Sequence, residues 1–155
     1  MRHQVVSTSV IAALFMAPVP VGAQDSEIIA VIPDKLKWAS TPIAPTNKIA
    51  WGIGSAVAAG KFYDLFASYH PGGKSMPHVH PDERIVTVLT GTFYLGSGPA
   101  FDETKAQELK AGSVIAVPAN VVHWGFAKNA EVTIQELGMG PTATTPSSPS
   151  ATPTR

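Results

Sequence analysis

The stretch "MPHVHPDERIVTVLTG", Met76 to Gly91, decides the fold. Two histidines one residue apart precede an apolar, β-branched run that closes on glycine. In a strand alternate side chains share a face. His78 and His80 therefore point the same way, together with Met76, while Pro77 and Val79 point the other way. Two imidazoles on one strand face are well placed to chelate one ion. A lone His-x-His pair is equally read as two hydrogen-bonded surface histidines, so the rest of the chain must arbitrate.

Outward from this stretch the chain reads as strands. "KFYDLFASYH" (Lys61 to His70) is aromatic-rich and ends at the turn "PGG". "RIVTVLTG" and "TFYLGSG" meet at Gly91. "GSVIAVPANVVHWGF" (Gly112 to Phe126) is a strand, a Pro-Ala-Asn turn and a second strand, and "AEVTIQEL" (Ala130 to Leu137) closes the series. Turn signals recur about every ten residues, the spacing of an antiparallel sandwich or barrel. The one helix candidate, Asp102 to Leu109, is short. No internal repeat is visible.

Composition agrees. A chain of 155 residues predicts one domain with a moderate core. Lys plus Arg and Asp plus Glu are both 11, which removes the basic excess that a nucleic-acid or anionic-membrane partner favours. Only 14% of residues are charged, against 13 glycines and 14 prolines, a profile of turn-rich β structure. There is no cysteine, so neither a disulfide nor a thiolate ligand is available.

The ends differ from the middle. Residues 1–23 read as an export signal. Arg2 and His3 precede the apolar run Val5 to Ala17, which is short for a bilayer span, Pro18 and Pro20 break it, and "VGA" offers small residues before Gln24. The expectation is a periplasmic or secreted protein with no stable membrane association after cleavage. Residues 24–47 read as an N-terminal extension and 48–138 as the folded domain. Residues 139–155, ending in "PTATTPSSPSATPTR", read as a tail that cannot offset its ordering entropy by burial.

A third histidine, His123, lies at the head of the strand after "VPANVV". The two segments carry matching punctuation: Gly72, His78, His80 and Gly91 in the first, Gly112, Pro118 and His123 in the second. This pattern resembles the two motifs of the cupin superfamily. Asn120 stands where the second motif usually has Gly, and Asn tolerates the same left-handed backbone. A later Asn of that motif is replaced by Ala127. The resemblance covers Lys48 to Gly138. It implies an all-β, double-stranded β-helix (jelly-roll) barrel in which His78, His80 and His123 converge on one divalent first-row metal, Zn, Mn, Fe, Ni or Cu. It also implies a homodimer. Cupins include enzymes, sugar-binding regulators and storage proteins, so the resemblance leaves the function open.

The first motif departs from the family at its carboxylate. That place, four residues after His80, holds Arg84, with Glu83 one residue early. An inward Arg84 about 6 Å from a dication is repelled by roughly 5 kcal/mol at an effective dielectric of about 20, too much without a compensating anion. Either a bulge turns Glu83 inward as fourth ligand, or three histidines hold the metal and Arg84 turns aside to meet an anionic substrate group. Alternation from Val86 and Val88 places Arg84 inward and favours the second. Gly125 and Ala127, on the His123 face, predict room for a small molecule, and Trp124 and Phe126 predict packing on the opposite face. Met76 reads as a gap-filler beside the site, and His70 as a strand-end residue. Tyr63, Tyr69 and Tyr94 are each able to offer a phenol. The leading function is a metalloenzyme, an oxidoreductase or lyase acting on a small polar or anionic molecule. The alternative is a barrel that binds a metal or small ligand without turnover.

Overall fold

A computed structural model describes residues 28–41 and 44–147. The expected export signal and residues 148–155 lie outside the described residues. The strands are β1 (Ala39–Thr41), β2 (Ala44–Ile53), β3 (Phe62–Tyr69), β4 (Lys74–Val79), β5 (Arg84–Thr90), β6 (Thr92–Ser97), β7 (Gln107–Lys110), β8 (Val114–Val117), β9 (His123–Ala127), β10 (Val132–Met139) and β11 (Thr145–Pro146). All pairings are antiparallel. They build a six-stranded sheet, β1-β2-β3-β10-β5-β8, and a five-stranded sheet, β11-β4-β9-β6-β7. This is the expected all-β jelly-roll barrel.

The core takes residues from both sheets, among them Tyr69, Val86, Val88 and Ile134 from the first and Phe93 and Ala127 from the second. Strand period two explains which residues enter. On β5, Arg84, Val86 and Val88 are buried, whereas Ile85 and Leu89 are each 39% exposed. Gly91 joins β5 to β6 at φ 74°, and a Cβ there would lie 2.5 Å from the Glu131 carbonyl oxygen, so only glycine makes this turn. Asn120 adopts the expected left-handed conformation at φ 61°. Its N–H donates to the His80 carbonyl at 2.8 Å and ties the Pro-Ala-Asn turn to the first histidine segment.

Trp124 and Phe126 pack on the far side of β9, as alternation predicts. Phe101 covers both, with ring centroids 4.7 and 5.6 Å away. Gly96 leaves the space that the Trp124 indole fills. Burying each ring contributes about 1.5–3 kcal/mol. Lys74 Nζ, paired with Glu103 at 2.7 Å, lies 4.8 Å over the Phe101 ring.

Five expectations need correction. The helix candidate is a single 3-10 turn, Glu103–Lys105, capped by the Asp102 side chain, after which β7 begins; the segment is too short to repay helix nucleation. The expected extension joins the sheet: β1 pairs with β2 through Ala39 and Ile49 and through Ser40 and Lys48, and Asn47 pairs with Tyr69 of β3. The first part of the expected tail is held too: β11 pairs with β4 through Thr145 and Val79 and through Pro146 and His78. An edge strand accepts Pro146 because the missing N–H faces outward. The register of β4 on β9 shifts between Ser75 and His78, so regular alternation fails there: Met76 borders the cavity beside the histidines, as expected, though it is 58% exposed, and Pro77 is buried and borders the same cavity instead of facing away. Finally, the space beside Gly125 belongs to Phe93, whose ring would meet a Cβ at 2.3 Å. The small residue admits a core aromatic, and Gly125 itself borders only the smaller space beside His123.

Candidate metal centre

β4 and β9 are neighbours, and His78 and His123 are direct register partners across them. His80 follows β4 at the next same-face position. The ring centroids of the three histidines lie 4.4–5.1 Å apart. One nitrogen from each ring comes within 4.8 Å of the others, and together they form a group able to hold a metal ion. The other nitrogens are accounted for. Nδ1 of His78 meets the Met76 carbonyl at 2.6 Å, Nδ1 of His80 the Ala143 carbonyl at 2.7 Å, and Nδ1 of His123 the Val121 carbonyl at 2.9 Å. A carbonyl only accepts, so each Nδ1 carries the proton and each Nε2 presents a free lone pair. Burial pushes His78 down to about 4 and His80 down to about 3, and lowers His123 too. The rings are therefore neutral at neutral pH, the form a metal needs. The donor set fits a borderline first-row dication.

Arg84 faces inward and is 3% exposed. Its Nη1 donates to Glu136 Oε2 at 2.6 Å, and its Nη2 donates to Asp82 Oδ1 at 2.8 Å and Thr142 Oγ1 at 2.6 Å. The compensating anion that an inward arginine demands is thus supplied by the protein, twice over. The guanidinium expected to await a substrate anion is engaged through Nη1 and Nη2, while its buried Nε has no partner. Glu83 is exposed and stands outside the histidine group, so the bulge that would make it a ligand does not form. Next to Glu83, the Asp82 side chain is covered, 6% exposed. Burial opposes its charge, but hydrogen bonds from Thr142 and Tyr63, with the Arg84 charge, hold its carboxyl below the usual range.

A cavity of about 210 Å³ opens beside the histidines. His78, His80, Arg84 and Glu136 border it, with apolar walls that include Ile49, Leu65 and Pro146. A second, smaller space touches His78, His123 and again Glu136. Of the three tyrosines, Tyr69 borders both spaces, its hydroxyl donating to Ser75 Oγ at 3.2 Å. Tyr63 is spent on Asp82 at 2.5 Å, and burial, then that carboxylate, raise its phenol pKa. Tyr94 pairs with Glu108 on the outside. His70 lies just past the end of β3, and its Nδ1 pairs with the Pro71 carbonyl.

Sequence reading missed Glu136, Thr142 and Ala143. A signal for the first was present. Glu136 shares strand parity with Val132 and Ile134, two residues that the pattern sends inward. A charged side chain at such a position needs a partner. The other two lie in a stretch without periodicity, and nothing in its composition marks them.

Residues 65–134 match the family model described as Cupin domain. With the two histidine motifs and the jelly-roll barrel, this makes the chain a member of the cupin superfamily. A germin-like protein, subfamily 2 member 1, of Arabidopsis thaliana is 42% identical over 62 residues, which are 39% of this chain and 27% of that protein. The match thus spans about a quarter of that relative's length. Among solved structures, the polyketide cyclase RemF from Streptomyces resistomycificus superposes with a TM-score of 0.65 at 19% identity, covering 77% of this chain and 85% of that one. The DMSP lyase DddQ from Ruegeria pomeroyi gives 0.61 at 17% identity, covering 76% and 64%. KdgF from Halomonas sp. gives 0.55 at 17% identity, covering 70% and 92%. At these identities the likeness is one of fold.

Proposed function

We propose that this cupin is an exported metalloenzyme in which His78, His80 and His123 hold one divalent first-row metal and the adjoining cavity takes a small-molecule substrate. The observation that carries the reading is the set of three Nε2 lone pairs, each fixed by its own Nδ1–carbonyl bond, with His78 and His80 at the wall of a cavity of about 210 Å³ and His123 on the smaller space beside it. The bound metal would serve as a Lewis acid toward a substrate oxygen. The protein's own residues keep the imidazoles neutral and oriented, wall the substrate with apolar groups, and place one carboxylate, Glu136, at the cavity. Lyase and cyclase activities among proteins of similar fold are compatible with this arrangement. Export rests on the leader-like residues 1–23 and implies a periplasmic or secreted location. The second reading, binding without turnover, draws on the engagement of Arg84 with Glu136, the one acidic side chain at the cavity among the described residues.

The test is elemental analysis of untagged protein after exposure to Zn, Mn, Fe, Ni and Cu salts. The expected result is about one metal per chain, lost on His123→Ala. A metal content near zero for all five overturns the reading. A turnover screen of the loaded protein against small lyase and cyclase substrates then separates the enzyme from the binder.

We further propose a homodimer formed through the outer face of the six-stranded sheet. Ile85 and Leu137 are register partners there, and they stand 39% and 42% exposed, near Val114 at 65%. Light scattering should give twice the chain mass at micromolar concentration; a monomer mass refutes the dimer.

A further inference from the structure

We infer that the cavity takes a small monocarboxylate with a ring-sized apolar body, its carboxylate turned to the histidine centre. The inference rests on the metal-centre reading above and deepens it by naming the ligand class.

The first argument is charge, counted with the ion in place. His78, His80 and His123 are neutral, and among the described residues no carboxylate joins their close group. A dication held there therefore keeps both its charges. The place where the first motif usually has a carboxylate adds a further positive charge, Arg84, instead of removing one. Against these stand two carboxylates, Glu136 at 2.6 Å and Asp82 at 2.8 Å from the guanidinium. Three positive charges against two negative ones leave the loaded centre and its arginine at about +1. The protein's own acceptors do not saturate the arginine either: its Nε is buried without a partner among the described residues. A net positive charge in a poorly solvated wall draws in an anion, and one carboxylate balances it.

The second is placement. The cavity meets the charged groups through His78, His80, Arg84 and Glu136. Its wall then runs from Glu136 on β10 to the register partner Leu65 on β3, and on to Ile49 on β2, the partner of Ala67. Pro77 and Pro146 add to the apolar lining, and the remaining polar groups, among them Asn47 and Tyr69, carry no charge. Among the described residues no lysine and no second arginine borders this cavity. A second carboxylate on the ligand would lie against aliphatic side chains with no cation to meet it, and burying an unpaired charge is costly.

The third is volume. Since an apolar cavity of about 150 Å³ takes up benzene, one of about 210 Å³ holds a single substituted ring. The carboxylate then sits at the charged end and the ring against Leu65, Ile49 and Pro146.

The experiment uses the Zn-loaded full chain and three probes of matched outline, 4-methylbenzoate, 4-methylbenzamide and benzene-1,4-dicarboxylate, with binding followed by calorimetry. Wild-type protein should bind the monocarboxylate at least about tenfold more tightly than the neutral amide or the dianion. In metal-free protein the same groups sum to about −1, and 4-methylbenzoate should bind no more tightly than the amide. Leu65→Trp, which fills the apolar end, should weaken 4-methylbenzoate at least about tenfold, while the metal content stays unchanged and acetate still binds. Loaded protein that binds the amide or the dianion as tightly as the monocarboxylate, or binds none of the three, overturns the inference without recourse to any variant. A preference for the monocarboxylate that persists without metal overturns it too, as does a metal-loaded Leu65→Trp protein with wild-type affinity for 4-methylbenzoate. Protein that takes up no Zn defeats both the metal-centre reading and this one. Protein that takes up Zn but lacks the preference defeats this one alone.

Discussion

Arg84→Met should destabilise the folded protein by about 3–5 kcal/mol, the cost of leaving buried carboxylates without their counter-ion. Methionine replaces the aliphatic stem, so the loss isolates the guanidinium. The Arg84 side chain is 2% exposed, and those of Asp82 and Glu136 are 6% and 13% exposed. Asp82 keeps the Tyr63 hydroxyl, but Glu136 loses the partner that orients it. The larger share of the cost therefore falls on Glu136, and the double variant Arg84→Met/Glu136→Gln should recover about half of it. At about 3–5 °C per kcal/mol for a domain of this size, the single variant should melt about 10–20 °C lower. Chemical denaturation of the metal-free protein checks the free energy directly. A loss below about 1 kcal/mol would mean that solvent reaches the network and screens it.

That network also shows where sequence reading stops. The resemblance to the cupin motifs implied the convergence of His78, His80 and His123, whereas alternation and turn residues, which are local signals, placed the strands from Lys61 to Leu137. They even required an anion for an inward Arg84. They did not say which one. The answer depends on β5 lying beside β10 in a register that sets Gly138 opposite Arg84, and the partners are 52 residues apart in sequence. Asp82, two positions before β5, carries no local signal: only its contacts with Tyr63 and Arg84 show that its side chain is covered. Gly125 shows the same limit for volume. A small residue announces space, but only the packed structure shows that Phe93 fills it. The low-complexity end was misjudged because strand pairing requires backbone groups, not side-chain pattern, and β4 offers its open edge there.

Truncation after Gly140 should lower metal affinity by about 10–100-fold, the usual cost of losing a hydrogen-bond partner of a ligating imidazole. Residues 141–147 hold the centre at three points. The Ala143 carbonyl accepts from His80 Nδ1 at 2.7 Å, which keeps the proton there and the Nε2 lone pair free. Thr142 Oγ1 accepts from Arg84 at 2.6 Å, behind the same ring. β11 pairs with Val79 and His78 and closes the outer edge of β4, on which His78 sits. Thr144 and Pro146 also wall the cavity. Without this segment His80 is free to flip or to change tautomer, and the edge of β4 is open to water. The comparison that isolates the effect is truncation after Ser147, which removes residues 148–155 and leaves all three contacts in place. Competition titration with a chromogenic zinc chelator should then rank full chain and the Ser147 truncation as equal, with the Gly140 truncation well below them. Equal affinity in all three proteins would mean that water replaces the Ala143 carbonyl at no cost, and that the segment is the passive tail its composition describes.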